Sequence, residues 1–236
     1  MNKLLITQII LLMILFISCQ EKPPVDLDRL ENIPNPAALP SEAPKDWLLA
    51  HIDVETTGLV PGYHEMIDIG IAMTDLEGEL IDTLFLRIQP DYPERLSPGA
   101  YEVNAFNVKK WQELGALSSK AAVDSIVAFH HRVAAGRTVL FVAYNSHFDS
   151  AFLDHLFRKA NRTWRELYYY FVLDIPSMAW GLGLRDLTSD QLMARYNIQD
   201  EPHTAELHTG ITGALVNVRI YRALLRYREE MFRQNQ

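Results

Sequence analysis

The chain has 236 residues, a net charge of −8 and a sequence pI near 5.5. That balance excludes a protein that grips long nucleic acid through a broad basic surface, though not an enzyme that holds a few nucleotides at a metal site. With 48% hydrophobic residues, including 10 Phe and 10 Tyr, there is ample material for a globular core, and the length suits one domain or two.

Met1 to Cys19 reads as a leader. Lys3 supplies a positive start and Leu4 to Ile17 a mostly apolar run, shorter than the roughly 20 residues of a bilayer span. It ends in Phe16-Ile17-Ser18-Cys19, which resembles the lipobox of bacterial lipoproteins, with Phe16 where Leu is usual. Cys19 is the sole cysteine, so no internal disulfide can form, and lipidation of Cys19 is the expectation. From residue 20 to 46 the chain carries Pro23, Pro24, Pro34, Pro36, Pro40 and Pro44, half of its 12 prolines. Proline removes donors and favours extended backbone, so this stretch reads as a semi-rigid tether. Residues 47–236 are then the folded domain. A lipid anchor implies attachment to a bacterial membrane in the cell envelope, at the outer membrane or a periplasmic face.

The first strand is expected over Trp47 to Glu55. Residues i and i+2 of a strand share a face, so Asp53 and Glu55 set two carboxylates side by side. Such a pair repels unless a cation lies between them. Thr56, Thr57 and Gly58 turn the chain. Met66 to Thr74 and Leu80 to Ile88 are the next strands, with Asp75-Leu76-Glu77-Gly78 as a hairpin turn between them. Pro90 to Asn107 reads as a loop and Val108 to Leu114 as a short helix. A longer helix spans Ser118 to Ala135, with an apolar stripe of Ala122, Ile126, Phe129 and Val133. The adjacent His130 and His131 read as surface or boundary residues. Thr138 to Ala143 is a β-branched strand, followed by Tyr144-Asn145-Ser146-His147-Phe148-Asp149 and a helix with Phe148, Phe152, Leu156 and Phe157 on one side. Asp149 falls at its start, where a carboxylate is favoured. Tyr168 to Leu173 reads as the last strand, Asp174 as the start of a helix and Leu187 to Tyr196 as another. Pro202 precedes a long helical pattern reaching about Phe232. Arg219, Arg222, Arg226 and Arg233 share a face of it, read as solvated, with a weak phosphate-attracting stripe as the alternative.

Asp53-Val54-Glu55-Thr56-Thr57-Gly58-Leu59 resembles the first motif of the DEDD 3′–5′ exonucleases, the group of the proofreading (epsilon-type) exonuclease, ribonuclease T and oligoribonuclease. The strand followed by Ala143, Asn145, Phe148 and Asp149 resembles the second motif. Glu201-Pro202-His203-Thr204-Ala205-Glu206-Leu207-His208 stands where the third belongs. His203 matches the branch that carries a histidine there. Five positions later that branch has Asp, and this chain has His208.

The resemblance implies an α/β, ribonuclease-H-like mixed sheet, its first three strands antiparallel and the later ones parallel, flanked by helices. It implies a phosphodiester hydrolase that trims single-stranded DNA or RNA from the 3′ end to nucleoside 5′-monophosphates. Two divalent ions, Mg²⁺ or Mn²⁺, would be held by Asp53, Glu55, Asp149 and position 208. His203 would be the general base, with a reference pKa near 6.5 that suits proton transfer around neutrality. Thr57, Leu59, Asn145 and Phe148 would contact the 3′ end. Imidazole at 208 is neutral and softer than carboxylate, which favours Mn²⁺, Zn²⁺ or Fe²⁺ over Mg²⁺. Glu206, at helical spacing about 160° round from residue 208, is not placed to compensate. The alternative is an impaired domain of the same fold that binds nucleotides or a protein partner in the envelope.

Overall fold

The computed structural model describes Pro36, residues 38–201, Thr204 and residues 207–234. The leader, Cys19 and most of the tether lie outside the described residues, as do His203 and Glu206. The strands are β1 (Trp47–Thr56), β2 (Met66–Thr74), β3 (Leu80–Arg87), β4 (Thr138–Ala143) and β5 (Val172–Asp174). The helices are α1 (Pro98–Asn104), α2 (Val108–Glu113), α3 (Ser119–Ala134), α4 (Ser146–Lys159), α5 (Ile175–Gly181), α6 (Ser189–Tyr196) and α7 (Gly210–Gln234). None of these helices is long and apolar enough to cross a membrane.

The sheet order is β3-β2-β1-β4-β5. β1, β2 and β3 pair antiparallel; β4 joins β1 parallel and β5 joins β4 parallel. This is the mixed, ribonuclease-H-like sheet expected from the motifs. β1 lies at its centre and is buried along almost all its length, so its alternation serves two cores. Leu48, Ala50, Ile52 and Val54 pack with α3 and α4. Trp47 and Leu49 face the other way, onto α5, α6 and α7. Asp53 and Glu55 continue that second face, beyond the apolar part of the strand.

α7 closes this face, and glycines permit its close approach. A Cβ on Gly70 would stand 2.2 Å from backbone atoms of Gly210 and Ile211. One on Gly210 would stand 2.5 Å from the Asp53 carbonyl oxygen, and one on Gly213 2.3 Å from Asp53 Oδ2. Further along the helix, Asn217 Nδ2 donates to the Ile52 carbonyl at 3.2 Å.

Four sequence expectations need correction. The segment Pro90 to Asn107 is not all loop, because Ser97 caps a helix there: its hydroxyl accepts from Ala100 N, and Pro98 occupies the first turn. The last strand is Val172–Asp174, not Tyr168 to Leu173; Tyr168 is instead fully buried among Phe141, Trp164 and His130. His130 is buried rather than at the surface, and desolvation lowers its pKa to about 4. The final helix starts at Gly210, well after Pro202, so residue 208 is not on it.

The contact between β2 and α7 leaves no room for a methyl group on Gly70. Gly70→Ala is expected to cost about 2–3 kcal/mol, as overpacking against backbone does, or roughly 5–10 °C of melting temperature for a domain of this size. Gly99→Ala, with nothing within 4 Å of its added Cβ, should leave the melting temperature unchanged; thermal denaturation of the two variants side by side checks both.

Candidate active site

Five carboxylates meet where β1 runs out. Asp53 and Glu55 come from β1, and Asp68 lies directly opposite Glu55 on β2. Asp149 stands in the first turn of α4, 3% exposed. Glu201 approaches from the segment before α7. The sequence brought Asp53, Glu55 and Asp149 to attention. Asp68 and Glu201 were missed as site residues. The signal for Asp68 was present, as the one charged residue in the otherwise apolar run Met66–Thr74. Glu201 gave none, because it is joined to the site by the path of a loop.

These groups disturb one another strongly. Burial, followed by the charges of Asp149, Glu55, Glu201 and Asp68, holds the Asp53 carboxyl well above the usual range. Asp149 is raised the same way, mainly by burial, and backbone N–H groups, including that of Val54, only partly offset it. Asp68 is pushed up to about 8 by burial and by Glu55, against a hydrogen bond from Gly210 N to its Oδ1 at 2.9 Å. That bond sets the positive end of the α7 dipole over the acids. Asn104, at the end of α1, donates from Nδ2 to the Thr56 carbonyl at 3.0 Å and reaches Glu55 Oε2 at 3.5 Å.

His208 is part of this cluster. Its Nε2 lies 3.1 Å from Glu55 Oε1 and its Nδ1 3.4 Å from Glu201 Oε1. The hydroxyl of Thr212, in the first turn of α7, donates to Glu201 Oε2 at 2.6 Å. The hydrogen bond to Glu55, with the charges of Glu55, Glu201 and Asp68, raises the His208 pKa to about 9 against the opposing effect of burial. It is therefore an imidazolium at neutral pH. Besides Glu55, the carboxylate beside residue 208 is Glu201, seven positions earlier in the sequence.

The donor set has the chemistry of a divalent-ion site: hard carboxylate oxygens, buried, with a strong demand for positive charge. The side chains stand as an ion-paired network, however. Among the described residues no three His, Cys, Asp or Glu side chains are placed to hold one ion. The residues fit an ion in kind and in charge, while His208 provides positive charge at Glu55.

The remaining expected contacts divide into exposed and structural groups. Leu59 is 78% exposed on the turn after β1, beside the exposed Val60 and Tyr63. Thr57 is fully buried and braces that turn: its hydroxyl accepts from Glu65 N at 2.9 Å, and its own N–H donates to the Glu65 carbonyl. Asn145 is exposed in the left-handed region (φ 66°) just before α4, a conformation asparagine tolerates. Phe148 is half-buried against Phe152. Asp174 steadies the neighbourhood of Asp149 by accepting from Ser146 N at 2.9 Å while capping α5 through Ser177 N. His51, adjacent in sequence, takes no part. It is fully buried, and desolvation lowers its pKa to about 3. The Thr74 hydroxyl donates to the Asp75 carbonyl and lies 3.3 Å from His51 Nε2.

A family profile described as exonuclease (RNase_T) matches residues 51–221, which include both β1 acids, Asp149 and His208. The chain belongs to the RNase_T exonuclease family. A curated relative, the 3′-5′ DNA exonuclease Cap18 of Escherichia coli, is 27% identical over 114 residues, 47% of this chain and 57% of that protein. Among solved structures, E. coli exonuclease I in complex with a dT13 oligonucleotide superposes with a TM-score of 0.62 at 16% identity, covering 80% of this chain and 42% of that one. A moderately thermophilic exonuclease I from Methylocaldum szegediense gives 0.61 at 20% identity over 78% and 41%. These structural likenesses establish the fold. The chain spans less than two thirds of the length of each of these relatives.

The raised groups make stability depend on pH in one direction. Asp68 binds its proton more tightly folded than unfolded, so its contribution falls as pH rises from about 4 through about 8. His208 likewise contributes fully below its unfolded pKa of about 6.5, and that contribution is lost as pH rises through about 9. The metal-free chain is expected to lose stability steadily from pH 6 to 9 in urea titrations. Asp68→Asn and His208→Gln should each make the fall shallower.

Proposed function

We propose that this family member is a metal-dependent 3′–5′ exonuclease acting on single-stranded DNA or RNA ends and releasing nucleoside 5′-monophosphates. The observation that carries the reading is the convergence of Asp53, Glu55 and Asp149 at the end of β1, with Asp53 and Asp149 forced toward protonation by burial and mutual repulsion. Asp53, Glu55 and Asp149 would hold two divalent ions, Mg²⁺ or Mn²⁺, with His208 joining them only by giving up the proton it shares with Glu55; the ions would supply charge neutralisation and polarisation at the scissile phosphate. Asp68, accepting from Gly210 N, keeps the start of α7 against this cluster. The imidazole of His203 would take a proton from the attacking water. Leu59 would lie against the terminal base and Phe148 would border the 3′ end, both from elements anchored beside Glu55 and Asp149.

A second reading has one observation in its favour. His208 bridges Glu55 and Glu201 as a cation, so it competes with a metal for Glu55. On that reading the site is silenced at one ligand and the chain binds nucleotides or a protein partner. Laddering of 5′-labelled single strands from the 3′ end separates the two. Wild type is expected to cleave, faster in Mn²⁺ than in Mg²⁺, and Asp53→Asn to lose about a hundred- to a thousandfold in rate, a typical loss when a charge-stabilising group of the reaction is removed. His208→Asp should bring Mg²⁺ turnover up to the Mn²⁺ level. Cleavage by His208→Asp alone would establish the silenced site.

We also propose that Cys19 is lipidated and tethers the domain to a bacterial membrane in the cell envelope. The support is the Lys3 to Cys19 pattern and the proline content of residues 20–46. Cys19→Ser is expected to move the protein from the detergent phase to the aqueous phase in a detergent partition assay, and equal partitioning would rule the anchor out.

A further inference from the structure

An acidic protein that engages single strands needs a source of affinity other than phosphate contacts. The turn after β1 and the segment leading to α1 together present a stack of exposed rings. The Arg95 guanidinium lies over the Tyr92 ring at 3.8 Å and over the Tyr63 ring at 4.9 Å. Tyr63 is 55% exposed and Tyr92 47%, and Leu59 and Val60 are exposed on the same turn, which leaves β1 just after Glu55.

This stack is held in place. Arg95 Nη1 donates to the Tyr63 carbonyl at 3.1 Å. Tyr92 N donates to Glu65 Oε2 at 2.7 Å, and Ser97 N to the Thr57 carbonyl at 2.8 Å. Lys159, from α4, pairs with both Glu65 and Asp91. Two segments far apart in sequence are thereby locked to each other and to the helix that carries Asp149. A stack this firmly tied, with both rings about half exposed, has no role in the core. Ordering exposed aromatic side chains costs conformational entropy that only a ligand recovers.

We infer that Tyr63, Arg95 and Tyr92 form a stacking platform for the bases of a single-stranded nucleic acid whose 3′ end lies at the Asp53–Glu55 site. The turn that carries Leu59, Val60 and Tyr63 follows directly on the strand that carries Asp53 and Glu55, and this identifies the occupant. Bases stack on aromatic rings irrespective of sequence, and an arginine between rings reinforces the arrangement. The only other cation in the locking network, Lys159, is already paired with two acids. Affinity therefore comes from base faces rather than from phosphates, and it depends little on salt. This rests on the exonuclease reading and specifies how that site takes its strand.

The test uses the full chain in an Asp53→Asn background, so that binding is read without turnover, with a fluorescein-labelled oligothymidylate of about a dozen nucleotides. Fluorescence anisotropy is expected to show about tenfold weaker binding for Tyr63→Ala and for Tyr92→Ala, the loss of roughly one stacked base each. Tyr63→Phe should bind as the parent does, and melting temperatures should be unchanged because both rings are exposed. An abasic strand of equal length should bind far more weakly than the oligothymidylate. The slope of log affinity against log salt should correspond to about one phosphate contact at most. Equal binding of the abasic strand, or unaltered binding by both alanine variants, overturns the platform while leaving the exonuclease reading intact. Failure of the parent to bind any strand, with no turnover by wild type, overturns both and leaves the patch to a protein partner.

Discussion

The structure depends on how negative charge is managed at the end of β1. Asp53, Glu55, Asp68, Asp149 and Glu201 are brought together where little water can screen them, and each raises the cost of ionising its neighbours. The fold counters this with backbone dipoles. The N-terminal end of α7 is set against the cluster, and Gly210 N donates to Asp68 Oδ1. Such an approach is possible only if the helix lies almost on the sheet, which is why glycine stands at 70, 210 and 213. Packing and electrostatics are therefore one constraint here. A methyl group that displaced α7 would also withdraw the positive dipole from the acids.

That coupling accounts for what could be read in the sequence and what could not. The β1 acids, the hairpin at Asp75–Gly78, the apolar stripe of α3 and the placement of Asp149 at the start of α4 were all legible. Each depends on local periodicity, a cap or a turn residue, with information contained in a few consecutive positions. The parallel addition of β4 beside β1 followed from the resemblance and not from any local pattern. α1 was hidden because a proline- and glycine-rich stretch resembles a loop until Ser97 and Pro98 are recognised as a helix start. The same kind of signal misled at Pro202, where a proline suited to a helix start stands before a helix that begins only at Gly210. Glu201 could not be anticipated at all. Its place beside His208 is held by Thr212, so it is a tertiary fact with no sequence period. Glu206, which helical spacing sets aside as a substitute for the missing acid, lies outside the described residues.

Three histidines show why residue type alone does not define the site. His51 and His130 are buried among apolar and aromatic neighbours, and desolvation lowers their pKa values to about 3 and about 4. His208 is also partly buried, yet it rises to about 9 because Glu55 accepts its hydrogen bond and Glu201 and Asp68 add their charge. The opposite signs come from the neighbours, since loss of hydration acts the same way on all three. Position 208 is thus one at which the surrounding acids stabilise any positive charge. An aspartate there would add to the repulsion and make the cluster wholly dependent on bound cations. A histidine lets the cluster fold with a cation of its own. The replacement in the third motif therefore shifts the balance between a site that is stable without metal and one that binds metal tightly, and Glu201, held by Thr212, stabilises the imidazolium on the first side of that balance.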